Sequence, residues 1–262
     1  MKKPVITLLT DFGLVDGYVA SMKGVILNIC SDVSLVDVSH SIPPQDVRSG
    51  AYLIATVYEL FPPGTVHLAV VDPGVGTERR GLAIAAAGHF FVGPDNGLFS
   101  LALQGQPQWQ AHSLENPAYW RSAVSKTFHG RDIFAPVAAH LAKGIPLHSL
   151  GPPCNPFMAS WTSITRSTGE IRGEVIYIDH FGNIITNLKL QDIEQSAAGG
   201  GFSLTVRSHY ITRFADTYGE VKAGTALMLI GSSGYLEIAL NQGNAAKTMQ
   251  VKTGDRVRLQ HL

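Results

Sequence analysis

Three acids in the first hundred residues stand where a short apolar run stops: Asp11 after Val5-Ile6-Thr7-Leu8-Leu9, Asp72 after His67-Leu68-Ala69-Val70-Val71, and Asp95 after Phe91-Val92-Gly93-Pro94. If those runs are parallel strands of an α/β sheet, the acids share its carboxyl edge, where ligands bind. The loop after Asp72 says most about chemistry. Pro73 removes a donor and fixes φ, Gly74 and Gly76 permit tight or left-handed turns, and Arg79 and Arg80 follow, so a carboxylate and a guanidinium can be brought together. Taken alone, the loop reads equally well as a β-turn with a surface acid and two solvated arginines. In Thr127-Phe128-His129-Gly130-Arg131-Asp132 a histidine sits between an aromatic and a glycine just before a helix, which positions it. One histidine among ten is more often structural than catalytic, and Arg131-Asp132 fits a helix-start pair, so the case for His129 rests on its company. Pro94-Asp95-Asn96-Gly97 reads first as a tight turn, although Asp95 and Asn96 would face the rim of Asp11 and Asp72.

The segments that must hold these residues alternate. Val5–Leu9 reads as a strand, and Asp16–Cys30 as a helix capped by Asp16, with Val19, Met22, Val25, Ile26 and Ile29 inward. Ser34–Val38 is a strand and Asp46–Leu60 a helix with Val47, Ala51, Ile54, Ala55 and Tyr58 inward; Val66–Val71, Leu82–Ala87 and Phe90–Val92 are further strands. Trp109–Trp120 has no clear period, and Ile133–Ala142 is a helix burying Phe134, Val137, Ala138 and Leu141. This is the pattern of a layered α/β domain with a mostly parallel sheet, over residues 1–150.

Residues 151–169, rich in Gly and Pro and then polar, read as a linker. Beyond it, within 170–262, come short strands separated by turns: Gly173–Ile178, Phe202–Val206, Ala226–Ile230, Tyr235–Ala239 and Arg256–Leu259. That is an all-β, barrel-like domain. Two of its polar, glycine-bearing stretches, Asp179–Asn187 and Gly231–Tyr235, read as loops, either plain β-turns or the mouth of a ligand site. No internal repeat or low-complexity tract interrupts the chain.

Composition narrows the functional classes. Twenty Lys+Arg against twenty Asp+Glu gives no net charge, so the basic footprint of a nucleic-acid or membrane-surface binder is missing and a small neutral or zwitterionic ligand fits better. With 45% hydrophobic residues and 27 glycines, the 262-residue chain can bury a substantial core and carries many tight loops. Cys30 and Cys154 have no metal-type spacing and read as free thiols of a cytoplasmic protein. The charged start Met1-Lys2-Lys3-Pro4 leads to no small-residue cleavage site, and no apolar run is long enough to cross a bilayer.

Six ordered motifs carry a resemblance: Thr10-Asp11-Phe12-Gly13, Val71–Arg80, Gly93–Gly97, Phe128–Asp132, Asp179–Asn183 and Gly231–Ala239. Together, from Thr7 to about Leu259, they are similar to the S-adenosyl-L-methionine hydroxide adenosyltransferase family, relatives of the fluorinase and chlorinase. The resemblance implies an N-terminal α/β domain, a C-terminal β-barrel and a homotrimer with active sites between subunits. It also implies the reaction: S-adenosyl-L-methionine and water give adenosine and L-methionine, with no cofactor and no metal.

Displacing neutral methionine from a sulfonium needs no acid at the leaving group; the poor nucleophile is the obstacle, so a water must be oriented and relieved of its proton. The resemblance gives that task to Asp72, Arg79 and His129, without saying whether Asp72 or His129 takes the proton. It assigns the ribose diol to Asp11, the methionine ammonium to Asp179, an adenine edge to Asn183 and the methionine carboxylate to Ser232. Asp95, Asn96, Phe181 and Tyr235 are further candidates. Where the halogenases carry Tyr and Thr beside the halide this chain has Asp72 and Val75, and where they place Arg after the matching serine it has Ser233. An anionic Asp72 favours water over halide. A halogenase-like enzyme and a non-catalytic S-adenosylmethionine or nucleoside sensor remain the alternatives.

Overall fold

The computed structural model describes residues 3–194 and 201–262, so Met1 and Lys2 of the charged start lie outside the described residues. The chain divides into two compact units, Met1–Ala159 and Ser160–Leu262.

In the first unit β1 (Val5–Thr10), α1 (Tyr18–Ile29), β2 (Ser34–Ser39), α2 (Val47–Val57) and β3 (Val66–Val70) alternate as expected. A hairpin of β4 (Gly81–Ala86) and β5 (His89–Pro94) follows, then the short α3 (Ser100–Leu103), β6 (Trp109–Ser113) and α4 (Ala135–Ala142). The sheet order is β2-β1-β3-β5-β4-β6. The pairs β1–β2, β1–β3 and β3–β5 are parallel, whereas β4 is antiparallel to β5 and β6, so the sheet is mixed at one side. Because β1, β3 and β5 run the same way, Asp11, Asp72 and Asp95 leave the sheet at one edge. β1 and β3 are buried almost throughout, as strands covered on both faces must be. Met22 and Ile26 of α1 and Phe134, Val137, Ala138 and Leu141 at and along α4 fill the core against β1 and β3.

Some local readings change. The cap of α1 is Gly17 with no side-chain bond, and Asp16 is exposed one position too early; Ser21 bonds back to the Gly17 carbonyl instead. Asp46 caps α2 through the Ser49 N–H, but that helix stops at Val57 and tightens into a 3₁₀ turn over Tyr58–Leu60. Ala51, Ile54 and Tyr58 are buried as expected, but Val47 and Ala55 are only half-buried, and Ser49, Gly50 and Tyr52 are buried in addition. Gly50 lets the helix lie close there, since a Cβ would be 2.8 Å from Leu98 Cδ1 and 3.1 Å from Val71 Cγ2 and those side chains would have to shift. Trp109–Ser113, without a readable period, is an edge strand of which only Ala111 and Ser113 are buried.

The stretch read as a linker is bonded in place. Cys154 N–H reaches the Ala111 carbonyl and Ala159 N–H reaches Ser100 Oγ in the first unit, while β7 (Thr165–Ser167) pairs with β8 (Glu170–Ile178) in the second. That unit continues with β9 (Ile184–Lys189), α5 (Leu190–Glu194), β10 (Phe202–Val206), β11 (His209–Ile211), β12 (Ala226–Ile230), β13 (Tyr235–Leu240), α6 (Ala245–Met249) and β14 (Arg256–His261). Its strands run in the order β11-β10-β14-β8-β9-β13-β12, antiparallel at every pairing. Met228 exchanges backbone bonds with Arg213 and Ala215, just after β11, which nearly closes the sheet into a barrel. β9 was hidden inside a segment read as loop because its middle is polar. Thr186 bonds the Leu236 carbonyl, and Asn187 spans the carbonyls of Trp161 and Ser163 and the N–H of Glu174, so both are buried and satisfied at a bulge.

Candidate active site

Asp72 begins the loop that leaves β3. Thr77 Oγ1 donates to the Gly74 carbonyl at 2.7 Å and accepts the Arg79 N–H at 3.3 Å, a turn that sends Arg79 back toward the strand end. Gly76 has φ +77°, and a Cβ there would run into the Lys126 carbonyl, so the loop needs glycine both for its left-handed turn and for the approach of the 125–127 segment. Asn96 braces the site from β5's side by donating to the Val71 carbonyl at 2.8 Å.

Arg79 Nε lies 2.9 Å from Asp72 Oδ1 and 3.1 Å from Oδ2, and Nη2 also donates to Oδ2. The same Nη2 lies 2.9 Å from His129 Nδ1, and the guanidinium sits over the Phe134 ring at 5.2 Å. The Asp72 and Arg79 side chains are 5% and 11% exposed, so the pair is largely out of water, where such bonds are strong. A guanidinium can only donate, so His129 Nδ1 accepts and the neutral ring carries its proton on Nε2. Burial, and then the charge of Arg79, push the His129 pKa below the usual histidine value, against the opposing pull of Asp72 and Asp132.

His129 precedes a single π turn, Gly130–Phe134, a form that recurs at functional sites. Asp132 anchors that turn: fully buried, it accepts from Arg121 and Arg131 and from the Ser125 N–H. Burial alone would raise the Asp132 carboxyl, yet these bonds hold it at about 2. A recess of about 180 Å³ adjoins Arg79 and His129, walled by Trp120, Phe134 and Glu115.

The other candidates are placed as follows. Asp11 is half-buried and its Oδ2 accepts the Gln45 N–H at 2.8 Å, where Gln45 takes the strained φ of +67°; no donor among the described residues meets Oδ1. Asp95 holds the scaffold together, with Arg80 on Oδ2 and the Phe157 N–H on Oδ1. Asn96 is likewise engaged at both ends. In the second unit Asp179 closes its own loop: Oδ1 accepts the N–H groups of Phe181 and Asn183, and Oδ2 accepts Asn183 Nδ2. Gly182, at φ +87°, packs directly on the Asn244 side chain, where no Cβ fits. Phe181 stands 73% exposed, Ser232 is exposed at its turn, and Tyr235 is buried. Two charged residues of this unit, Lys189 and Glu237, escaped the sequence reading. An acid inside the apolar run Tyr235–Leu240 was the available signal for Glu237.

A carboxylate, a guanidinium and an imidazole bonded in series at the carboxyl edge of an α/β sheet, in a chain that also builds an antiparallel barrel, define a protein equipped to hold a small polar molecule and handle its protons. Known proteins give this class a family. Residues 6–151 match the model of the SAM hydroxide adenosyltransferase N-terminal domain, and residues 173–258 match that of the C-terminal domain. The chain belongs to the SAM hydroxide adenosyltransferase family. It is 42% identical to the (R)-S-adenosyl-L-methionine hydrolase of Thermus thermophilus, over 96% of this chain and 97% of that one. It is 41% identical to the hydrolase of the same name from Salinispora tropica (98% and 97% covered), and 28% identical to the fluorinase of Nocardia brasiliensis (98% and 97% covered). A crystal structure of an uncharacterized conserved protein from Thermotoga maritima superposes with a TM-score of 0.88 at 33% identity, over 98% of this chain and all of that one.

Proposed function

We propose that this protein hydrolyses S-adenosyl-L-methionine to adenosine and L-methionine by direct attack of water on the ribose C5′. The observation that carries the reading is the Asp72–Arg79–His129 series, in a chain whose hydrolase relatives match at higher identity than its fluorinase relatives. The water oxygen bonds to C5′ as the C5′–S bond breaks, the electron pair stays on sulfur as a neutral thioether, and one proton leaves the water.

The hydrogen-bond pattern favours Asp72 as the group that receives this proton. His129 has its Nδ1 occupied by Arg79 and its Nε2 protonated, so it acts as a donor. Among the described residues Asp72 Oδ1 accepts a single N–H of the roughly two its lone pairs allow, leaving room for a water. Arg79 fixes the carboxylate in plane, a bidentate task for which an ammonium is a poor substitute. Asp11 is assigned the ribose diol, Asp179 the ammonium, Asn183 an adenine edge and Ser232 the carboxylate, with the exposed Phe181 and the buried Tyr235 bordering that end. We infer further that the active unit is a homotrimer in which the first unit of one subunit completes its site with the second unit of a neighbour, working in the cytoplasm without metal or cofactor. Among the described residues no helix is long and apolar enough to cross a membrane.

One incubation tests the reading. Purified protein with S-adenosylmethionine in ¹⁸O-labelled water, with and without chloride, yields adenosine labelled at the 5′-hydroxyl and no chlorinated nucleoside. An unlabelled 5′-hydroxyl or a halogenated product refutes it. Sedimentation at the assay concentration tests the assembly, since a fully active monomer contradicts a site shared between subunits.

A further inference from the structure

β13 alternates strictly. Leu236 and Ile238 enter the barrel core, so Tyr235 and Glu237 project from the other face. Lys189, at the end of β9, is the register partner of Tyr235, and its Nζ lies 5.1 Å from the centre of that ring. The backbone next to it is pinned to the Gly231–Gly234 turn, where the Leu190 N–H reaches the Gly234 carbonyl. No carboxylate among the described residues pairs with Lys189; the aromatic ring is its partner.

Glu237 is the opposite case in sign and the same in kind. It is 7% exposed, and Oε1 accepts the Tyr218 hydroxyl at 2.6 Å. Oε2 is met by no donor among the described residues; it lies 2.8 Å from where a Cβ on Gly231 would be, under the turn that presents Ser232. A buried carboxylate needs a cation or several donors to offset its lost hydration. Here the described residues supply one hydroxyl. Burial therefore raises the Glu237 carboxyl, and the charge of nearby Asp179 adds to this, against the lowering by Tyr218.

We propose that Lys189 and Glu237 grip the two ends of the substrate's α-amino-acid group, Glu237 its ammonium alongside Asp179 and Lys189 its carboxylate. This rests on the reading of the chain as an S-adenosylmethionine hydrolase and adds two specificity residues to it. The turn itself offers Ser232 and Ser233, hydroxyls without charge, so the cation facing a carboxylate comes from the neighbouring strand. Lys189 is held over the Tyr235 ring and Glu237 by the Tyr218 hydroxyl, so neither is paired with the other and both are left for a zwitterion.

Paired changes in protein and ligand test this in the intact enzyme. Glu237→Gln keeps the acceptor for Tyr218 and the side-chain volume, and Lys189→Met keeps the stem over Tyr235, so both variants should melt near the parent. Each raises the KM for S-adenosylmethionine about tenfold or more, the scale of one bond to a charged group, while kcat changes little. The parent discriminates against an analogue lacking the ammonium and one lacking the carboxylate; Glu237→Gln loses only the first discrimination and Lys189→Met only the second. Inhibition by 5′-methylthioadenosine, which has no amino-acid group, is unchanged in both. The proposal is overturned if each variant weakens both analogues equally, or if methylthioadenosine affinity falls with that of the substrate. A parent protein that binds methylthioadenosine yet neither binds nor cleaves S-adenosylmethionine would instead sink the hydrolase reading beneath it.

Discussion

In the first unit the charges around His129 are partnered by one another: Asp72 and Asp132 are each met by arginine, and His129 by Arg79, while Asp11, assigned to binding, is met among the described residues only by a backbone N–H. In the second unit Asp179 is bonded by its own loop's amides, Glu237 by one hydroxyl, and Lys189 by an aromatic ring. A preassembled ion-paired cluster suits work on a neutral water, because its dipoles are set before the reaction begins. Charges left without counter-ions suit recognition of a charged ligand, because the ligand's own charges complete them. The division of labour between chemistry and recognition follows from this contrast.

Its sharpest test is Asp72→Asn, chosen because it keeps the side-chain volume and an oxygen that accepts from Arg79, which alanine would remove. Loss of the proton acceptor should lower kcat about 10²–10⁴-fold while S-adenosylmethionine binding persists, as single-turnover adenosine formation and calorimetry would report. Binding that fails together with turnover would erase the distinction between the two units. Arg79→Lys comes next, with a loss of about a hundredfold in kcat and little change in KM, since one ammonium cannot hold both the carboxylate and His129.

The pH profile extends the comparison to His129. With its pKa held below the ordinary value, the imidazole stays neutral and keeps accepting from Arg79 until the solution is more acidic than an ordinary histidine would tolerate; activity is then lost as pH falls further. The acidic limb of kcat/KM should therefore lie below pH 6.5, the unperturbed value, and an acidic limb above it would contradict the arrangement. On the binding side, Asp11→Ala should raise KM about tenfold and abolish discrimination against a 2′-deoxyadenosyl substrate, leaving kcat nearly intact.

An effect on stability and not on turnover belongs to a buried pair that the chemistry does not use. His67, completely buried, bonds Thr7 Oγ1 at 2.8 Å and faces His89 at 3.3 Å; burial, then the charge of His89, lowers its pKa to about 3. Unfolding frees the ring to bind a proton near pH 6.5, so it does not affect stability above that pH, and stability falls as pH drops toward 3, by up to about 1.4 kcal/mol per pH unit. Denaturant titrations at pH 7 and pH 5 should show the loss, and His67→Gln should flatten it.

The alternation of strand and helix, the carboxyl-edge acids and the barrel's main strands were legible because each rests on a local signal: apolar period, or an acid followed by Pro and Gly. Burial of polar groups was not legible. Thr186 and Asn187 belong to a strand because their bonds go to Leu236, Trp161 and Ser163, partners that no local pattern names. Asp95 looked like a rim acid, yet it is held by Arg80 and by Phe157, far along the chain. The charges of Lys189 and Glu237 gain meaning only when β9 and β13 lie side by side.

Asn96 followed by Gly97 is the kind of dipeptide that ages quickly in most chains, because the glycine N–H can swing in to attack the asparagine side-chain carbonyl and expel ammonia. Here the side-chain amide is pinned at both ends, Nδ2 on the Val71 carbonyl and Oδ1 on the Leu98 N–H, while Gly97 at φ +93° packs on Ala159. The cyclisation cannot proceed without first pulling this brace away from the strand that delivers Asp72. Shelf life and catalysis are thereby tied to the same two hydrogen bonds: the molecule deamidates at this position only as fast as its active edge comes undone.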